Sequence, residues 1–294
     1  MRIFLAGATG AIGQQLIPQL RAAGHEVTGT SRTPAGLARI RAQGAAAVQA
    51  DALDAARLRA AVAEAAPDAV IHQLTDLASA DGAANGRLRR EGTRNLVAAA
   101  RAAGVSRIVA QSVSWAYAPG ENPAAETVAL DTAAPAPRAA MVGAIQALEE
   151  TAAELETAVI LRYGILYGPG TWYAPGGAVA AALAGEPGAP FLGSPRADDA
   201  VSSFVHVTDA AAAAVAALTW PSGPVNVVDD EPAPGRDWLP VLAKALDAPA
   251  PDPAPGREGW QRGADGTLAH ERGWRPAYPT WRTGFAAQLQ AEQL

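Results

Sequence analysis

Four apolar residues, Ile3-Phe4-Leu5-Ala6, run straight into Gly7-Ala8-Thr9-Gly10-Ala11-Ile12-Gly13, after which Ile12, Leu16 and Leu20 recur every fourth position. The apolar run reads as a buried strand, the fourfold spacing as a helix over 11–23, and the glycines as the tight turn joining them. A turn of this kind lets the backbone approach a pyrophosphate. The helix start then offers the anion free N–H groups and the positive end of the helix dipole. Gly24 closes the helix as a residue just past a C-cap would.

The alternation continues along the chain. Residues 25–30, 46–50, 69–73 and 107–111 read as further strands, separated by helical stretches through Leu37 and Ile40, over 53–66 and over 90–103. Apolar strands alternating with helices specify an α/β chain with a doubly wound, mostly parallel sheet covered on both faces. Residues 158–162 and 225–228 supply a sixth and a seventh strand. Gly- and Pro-rich segments at 168–177, 185–195 and 248–256 read as loops and point to a small C-terminal lobe. The expected organisation is a nucleotide-binding domain over 1–167, with the strand near 225–228 returning to its sheet. Residues 168–294 form mainly a substrate lobe interleaved with it.

Composition narrows the function classes. With 294 residues, 49% of them hydrophobic, the chain can bury a substantial core. A net charge of −6 without a basic block argues against a nucleic-acid binder. The most apolar window, 210–218, is far shorter than the roughly 20 residues a bilayer requires. There is no cysteine, hence no disulfide or thiolate chemistry, and no His, Asp or Glu spacing reads as a metal site. No secretory pattern precedes the first strand, so the cytoplasm is the expected location. Of 23 basic residues only Lys244 is a lysine.

The end of the second strand selects the coenzyme. An acid there would bind a ribose 2′-hydroxyl and repel a 2′-phosphate; this chain has Thr30, Ser31 and Arg32 instead. A guanidinium beside two hydroxyls suits a phosphate, so NADP is expected over NAD. Asp51, ending the third strand, is placed to accept from an adenine amino group or to cap the next helix.

These stretches, taken in order, resemble the short-chain dehydrogenase/reductase superfamily in its extended, epimerase/dehydratase-like branch. The resemblance rests on the glycine turn, Asp51-Ala52-Leu53-Asp54, Val70-Ile71-His72, Gly92-Thr93-Arg94-Asn95-Leu96 and Leu161-Arg162-Tyr163. It continues through Leu166-Tyr167-Gly168-Pro169-Gly170, Phe204-Val205-His206-Val207-Thr208-Asp209 and Val225-Asn226-Val227. It implies a seven-stranded Rossmann sheet with a small substrate lobe. It also implies a coenzyme site at Gly7, Thr9, Gly10, Ala11, Ile12, Gly13, Ser31, Arg32, Asp51, Ala52, Gln73, Leu74, Thr75, Tyr163 and Leu166. The family's working groups are a Tyr-x-x-x-Lys pair and a serine, with the tyrosine moving the hydroxyl proton. Here Met141 and Ile145 align with that pair, and Val113 aligns with the serine, flanked by Ser112 and Ser114. This looks like an atypical branch that keeps the coenzyme fold and varies the chemistry.

Hydride transfer still needs groups that orient the acceptor and stabilise developing charge. The candidates are Ser112, Ser114 and Tyr117 after the fifth strand, at the strand ends where open α/β sheets bind ligands. Asp76, Trp115, Tyr167, Trp172 and Tyr173 are expected in the substrate pocket, with Phe191 completing an apolar wall for an apolar or aromatic molecule. His72 reads as a hydrogen-bonded core histidine, and Asp209 as the cap of an alanine-rich helix. The leading expectation is an NADP-dependent oxidoreductase acting on a small organic molecule, with serine or tyrosine replacing the missing pair. The alternatives are a redox-neutral epimerase, dehydratase or cyclase using Asp76 or a tyrosine, and a non-catalytic NADP sensor resembling NmrA-like regulators. A small-molecule substrate and a second copy of the chain are the candidate partners, with no nucleic acid and no membrane.

Overall fold

A computed structural model describes residues 1–76, 81–186 and 195–291. The opening strand, turn and helix form as β1 (Arg2–Ala6) and α1 (Ala11–Ala22). Next come β2 (Glu26–Ser31), α2 (Pro34–Ala42), β3 (Ala46–Gln49), α3 (Ala55–Ala65) and β4 (Ala69–His72). Thr33 caps α2 by accepting from the Gly36 N–H, and Asp54 caps α3 through the Arg57 N–H. Then follow α4 (Gly82–Arg87), a π-helical turn at Leu88–Gly92, α5 (Thr93–Ala102), β5 (Arg107–Val113), α6 (Arg138–Ala152) and β6 (Thr157–Tyr163). The helix expected over 90–103 thus starts eight residues earlier and is widened by the π turn. Asp81, which accepts from the Ala83 and Ala84 N–H groups, supplies the earlier cap.

The remaining elements are β7 (Ile165–Tyr167), α7 (Ala178–Leu183), β8 (Val201–Ser202), β9 (Phe204–His206), α8 (Val207–Ala216), β10 (Gly223–Val227), β11 (Ala233–Pro234), α9 (Gly235–Ala245), α10 (Thr267–Glu271) and α11 (Trp281–Ala291). Seven strands make one sheet in the order β10-β6-β5-β4-β1-β2-β3, and β1 pairs in parallel with both β2 and β4. This is a Rossmann-like α/β fold with a seven-stranded parallel central sheet.

The chain divides into two compact units. The first comprises residues 1–112, 132–161 and 211–225; the second comprises 113–131, 162–210 and 226–294. The interleaving is deeper than the sequence suggests, because the segment after Ser112 and everything from Arg162 to Ala210 group with the second unit. In the first unit, Phe4, Val70, Ile108 and Ile160 from the strands pack with Leu58, Val62, Leu96 and Leu148 from the helices. Fully burying each such side chain is worth about 1.5–3 kcal/mol.

The second unit has an aromatic core of Tyr167, Phe204, Trp238, Trp281 and Phe285. In the same unit Asn226 acts as a hub. Its backbone N–H donates to Glu126 Oε1 at 2.7 Å, and its amide donates to the Ala124 and Asp265 carbonyls at 2.9 Å each. Its Oδ1 accepts from the Tyr117 hydroxyl at 2.6 Å. Asp209 is not the cap of α8. That helix starts at Val207, and the Asp209 carboxylate accepts instead from the Ala277 and Tyr278 N–H groups, tying a distant loop to the first turn.

Candidate functional site

The glycine turn shows which of its residues serve the fold and which leave room. Gly7 has φ +92°, and a Cβ there would collide with the Gln73 carbonyl oxygen; one on Gly13 would collide with the Gly7 carbonyl. Both are required by the protein's own packing. Gly10 is different, since a Cβ there would meet only the Gly7 oxygen at 3.5 Å, an ordinary contact. The packing of the chain therefore gives no reason for a glycine at this position. Helix α1 has no side-chain cap and no acid in its first turn, so the N–H groups of Ala11, Ile12 and Gly13 have no partner within the helix. Gln14 Nε2 donates to the Thr9 carbonyl at 3.0 Å, fixing the turn's central residue. These groups fit a dinucleotide pyrophosphate.

At the end of β2, the Ser31 hydroxyl is engaged in its own turn, accepting from the Thr33 N–H at 3.2 Å. Arg32 is exposed beside it, just before the start of α2. Asp51 accepts from the Leu53 N–H at 2.9 Å, and the Ala52 carbonyl accepts from Asn95 Nδ2 at 2.8 Å. After β4, Gln73 is buried, Leu74 half-buried and Thr75 exposed. The Leu74 carbonyl accepts from Gln111 Nε2 at 2.7 Å, and the Asp76 N–H donates to Asn85 Oδ1 at 3.1 Å.

His72 is a core histidine of the first unit. Its Nδ1 faces the Leu74 N–H at 3.2 Å and its Nε2 faces Thr93 Oγ1 at 2.8 Å, so the proton sits on Nε2. Burial pushes its pKa down to about 4, with the nearby Arg89 charge acting in the same direction. Helix α6 carries Met141 half-buried and Ile145 buried, neither able to move a proton. One turn further, Glu149 Oε1 accepts from the Ser112 hydroxyl at 2.5 Å. The helix therefore presents a carboxylate toward the end of β5.

In the second unit three of the four tyrosines named from the sequence are sealed. Tyr117, a candidate for the catalytic hydroxyl, is 1% exposed because Asn226 holds its hydroxyl inside and the Arg162 guanidinium lies 4.9 Å from its ring centre. Tyr163 donates to the Ala210 carbonyl at 3.3 Å. Tyr167 is fully covered, ringed edge-on by Phe204, His206 and Phe285, which leaves its ring no open face. Its hydroxyl is raised well above the usual phenol range by burial, then by the carboxyls of Asp229 and Asp209. Trp115, Leu166, Trp172 and Tyr173 are half-buried, Tyr173 packing on Phe204 with centroids 5.6 Å apart. Phe191 lies outside the described residues. The Ser114 N–H donates to the Tyr163 carbonyl at 2.9 Å, while its hydroxyl makes no hydrogen bond among the described residues. Of the three candidate hydroxyls, it alone is uncommitted in this way.

Sequence reasoning assigned no role to Asn85, Arg89, Glu149 or Asn226. The polar repeat Asn85, Arg89, Thr93 at fourfold spacing is visible once the helix is extended back to Gly82. The Glu149 and Asn226 contacts span 37 and 109 residues and carry no local signal. Among the described residues no group of three or more His, Asp or Glu side chains could hold a metal ion, and no helix is long and apolar enough to cross a membrane.

Comparison with known proteins places this geometry. The sequence model of the NAD dependent epimerase/dehydratase family matches residues 3–228. A Streptomyces protein, 3-diazoavenalumate denitrifying reductase, is 42% identical over 98% of this chain and 100% of its own length. UDP-glucose 4-epimerase from Thermus thermophilus, solved with NAD, superposes with a TM-score of 0.75 at 26% identity, covering 100% of this chain and 99% of that one. The Bordetella bronchiseptica enzyme WbmG, solved with NAD and UDP, gives 0.78 at 23% identity over 99% and 94% of the two chains.

Proposed function

The chain belongs to the NAD-dependent epimerase/dehydratase family and is an enzyme of oxidoreductase type; from that premise we propose that it reduces a small aromatic electrophile, an aryl diazonium, with hydride from NADPH. The observation that carries this reading is helix α6, where Met141 and Ile145 stand in place of the proton-handling pair. Reducing a carbonyl creates an alkoxide that must receive a proton, so losing a tyrosine and lysine there disables the chemistry. A diazonium makes no such demand. Hydride forms the new C–H bond, the C–N electron pair leaves with dinitrogen, and Ar–N2+ plus H− becomes Ar–H plus N2. The relative named as a denitrifying reductase of a diazo compound, alike end to end, supports this acceptor class.

When bound, the dihydronicotinamide supplies the hydride. The chain's own residues do the rest. The open turn at Gly10 and the N–H groups of Ala11, Ile12 and Gly13 hold the pyrophosphate. Arg32, with Ser31 shaping its turn, takes the 2′-phosphate and sets the preference for NADP. Glu149, with Ser112 locked to it, places a carboxylate on the α6 side, a group that suits a cationic acceptor. Ser114 orients that acceptor. The redox-neutral alternative needs a proton-transfer group where Met141 stands and gains nothing from this arrangement.

The test is to incubate the protein with a diazotised aminocinnamate and NADPH deuterated at nicotinamide C4. Dinitrogen release, NADPH oxidation and deuterium at the vacated ring carbon are expected together. NADPH left unoxidised in the presence of the diazonium rejects the reading. Arg32→Ala should weaken NADPH binding about tenfold or more while leaving NADH binding unchanged, as loss of a charge-assisted phosphate contact predicts.

A further inference from the structure

Arg89 is the one charged residue in a buried polar stripe of the first unit. Asn85, Arg89 and Thr93 follow one another at fourfold spacing and are 7%, 6% and 0% exposed. The outer two are anchored to the chain leaving β4, since Asn85 Oδ1 accepts from the Asp76 N–H and Thr93 Oγ1 meets His72 Nε2. The stripe therefore lies along the segment from His72 to Asp76. That segment's Gln73 carbonyl sits directly against Gly7 of the glycine turn. Between the anchors, Arg89 has neither an ion pair nor a hydrogen bond from its guanidinium among the described residues. Burial drives its pKa down to about 10, and its charge is felt at His72.

A buried cation without a counter-ion is costly to fold, and such groups are ordinarily paired. The π turn at Leu88–Gly92 winds the helix just where Arg89 sits, and single π turns of this kind recur at functional sites. A guanidinium presents a planar fork of donors that matches a carboxylate or phosphate through two parallel bonds. We propose that Arg89 is an anion-binding residue that receives an oxyanion of a bound ligand at the end of β4, either a phosphate of the dinucleotide or the carboxylate of the acceptor. The carboxylate source rests on the reductase reading above. The binding itself does not, so a chain that binds the anion but reduces no diazonium sinks that reading and leaves this one standing.

The experiment compares wild type with Arg89→Met, Arg89→Lys and Arg89→Gln in thermal melts with pyrophosphate or 4-hydroxycinnamate, and in calorimetry with NADPH. Free Arg89→Met should melt above wild type, because the unpaired buried charge is gone. Binding of the responsible anion should weaken roughly tenfold to a hundredfold in Arg89→Met and Arg89→Gln. Arg89→Lys should keep part of it, which separates loss of charge from loss of fold. Loss of the pyrophosphate and NADPH responses with cinnamate intact assigns the dinucleotide; the reverse pattern assigns the carboxylate. The proposal is overturned if neither anion stabilises the wild type, or if both stabilise Arg89→Met as well as they stabilise wild type.

Discussion

Three hydroxyls that look equivalent in the sequence are distinguished by what each is bonded to. Tyr117→Phe removes the donor that satisfies Asn226 Oδ1 inside the second unit. Leaving that acceptor unpaired should cost about 1–3 kcal/mol of stability, read as a lowered melting temperature. Ser114→Ala breaks no side-chain hydrogen bond of the described structure. It should therefore leave the melting temperature nearly unchanged while lowering kcat/KM about tenfold, as loss of one orienting bond to the acceptor would. Asp229, 2% exposed, makes a separate prediction. Burial lifts its carboxyl from 3.8 to about 8. Between those values the folded chain holds a proton that the unfolded chain has lost. The stability it contributes is complete below 3.8 and is lost as pH rises through about 8. Asp229→Asn should remove that decline, so melting temperature should fall less toward alkaline pH than in wild type. His72 and His206, both pushed down to about 4, act oppositely: what they contribute as neutral rings is present above 6.5 and lost as pH falls through 4.

Whole elements report on the phosphate cradle. Gly13→Ala drives a Cβ into the Gly7 carbonyl and should destabilise the first unit whether or not coenzyme is present. Gly10→Ala meets nothing closer than 3.5 Å and should fold normally, yet its methyl group enters the space assigned to the pyrophosphate. Its melting temperature should stay near wild type while calorimetry shows dinucleotide affinity reduced by at least about tenfold. The strand-turn-helix was legible because its signals are local: an apolar run, glycines at fixed offsets, then a helical period. The strands were legible for the same reason. Helix α4 and the π turn were not, because Gly82 and Gly86 and the arginines at 87, 89 and 90 suppress the apolar period that marks a helix. What each site side chain is bonded to was out of reach as well. Ser112 finds Glu149, and Tyr117 finds Asn226, only once the sheet and loops have brought distant residues together.

At the scale of the molecule, the family assignment covers three quarters of the chain and the reductase-named relative nearly all of it. The surface balance agrees with the acceptor proposed, since a net charge of −6 draws a small cation by long-range attraction. Aryl diazonium salts couple to phenolates and amines, so a protein that handles them risks forming azo adducts with its own side chains. This chain has no thiol, one lysine, and five tyrosines. Tyr117, Tyr163 and Tyr167 are sealed from solvent, burial raises the half-buried Tyr173 to about 12, far from the ionised form that couples, and the fifth, Tyr278, is half-buried with its ring against His206 at 4.1 Å between centroids. Held in excess diazonium without NADPH, the protein should gain little azo colour and regain full turnover once reductant is added. Rapid tyrosine labelling with loss of activity would show that it has no such immunity.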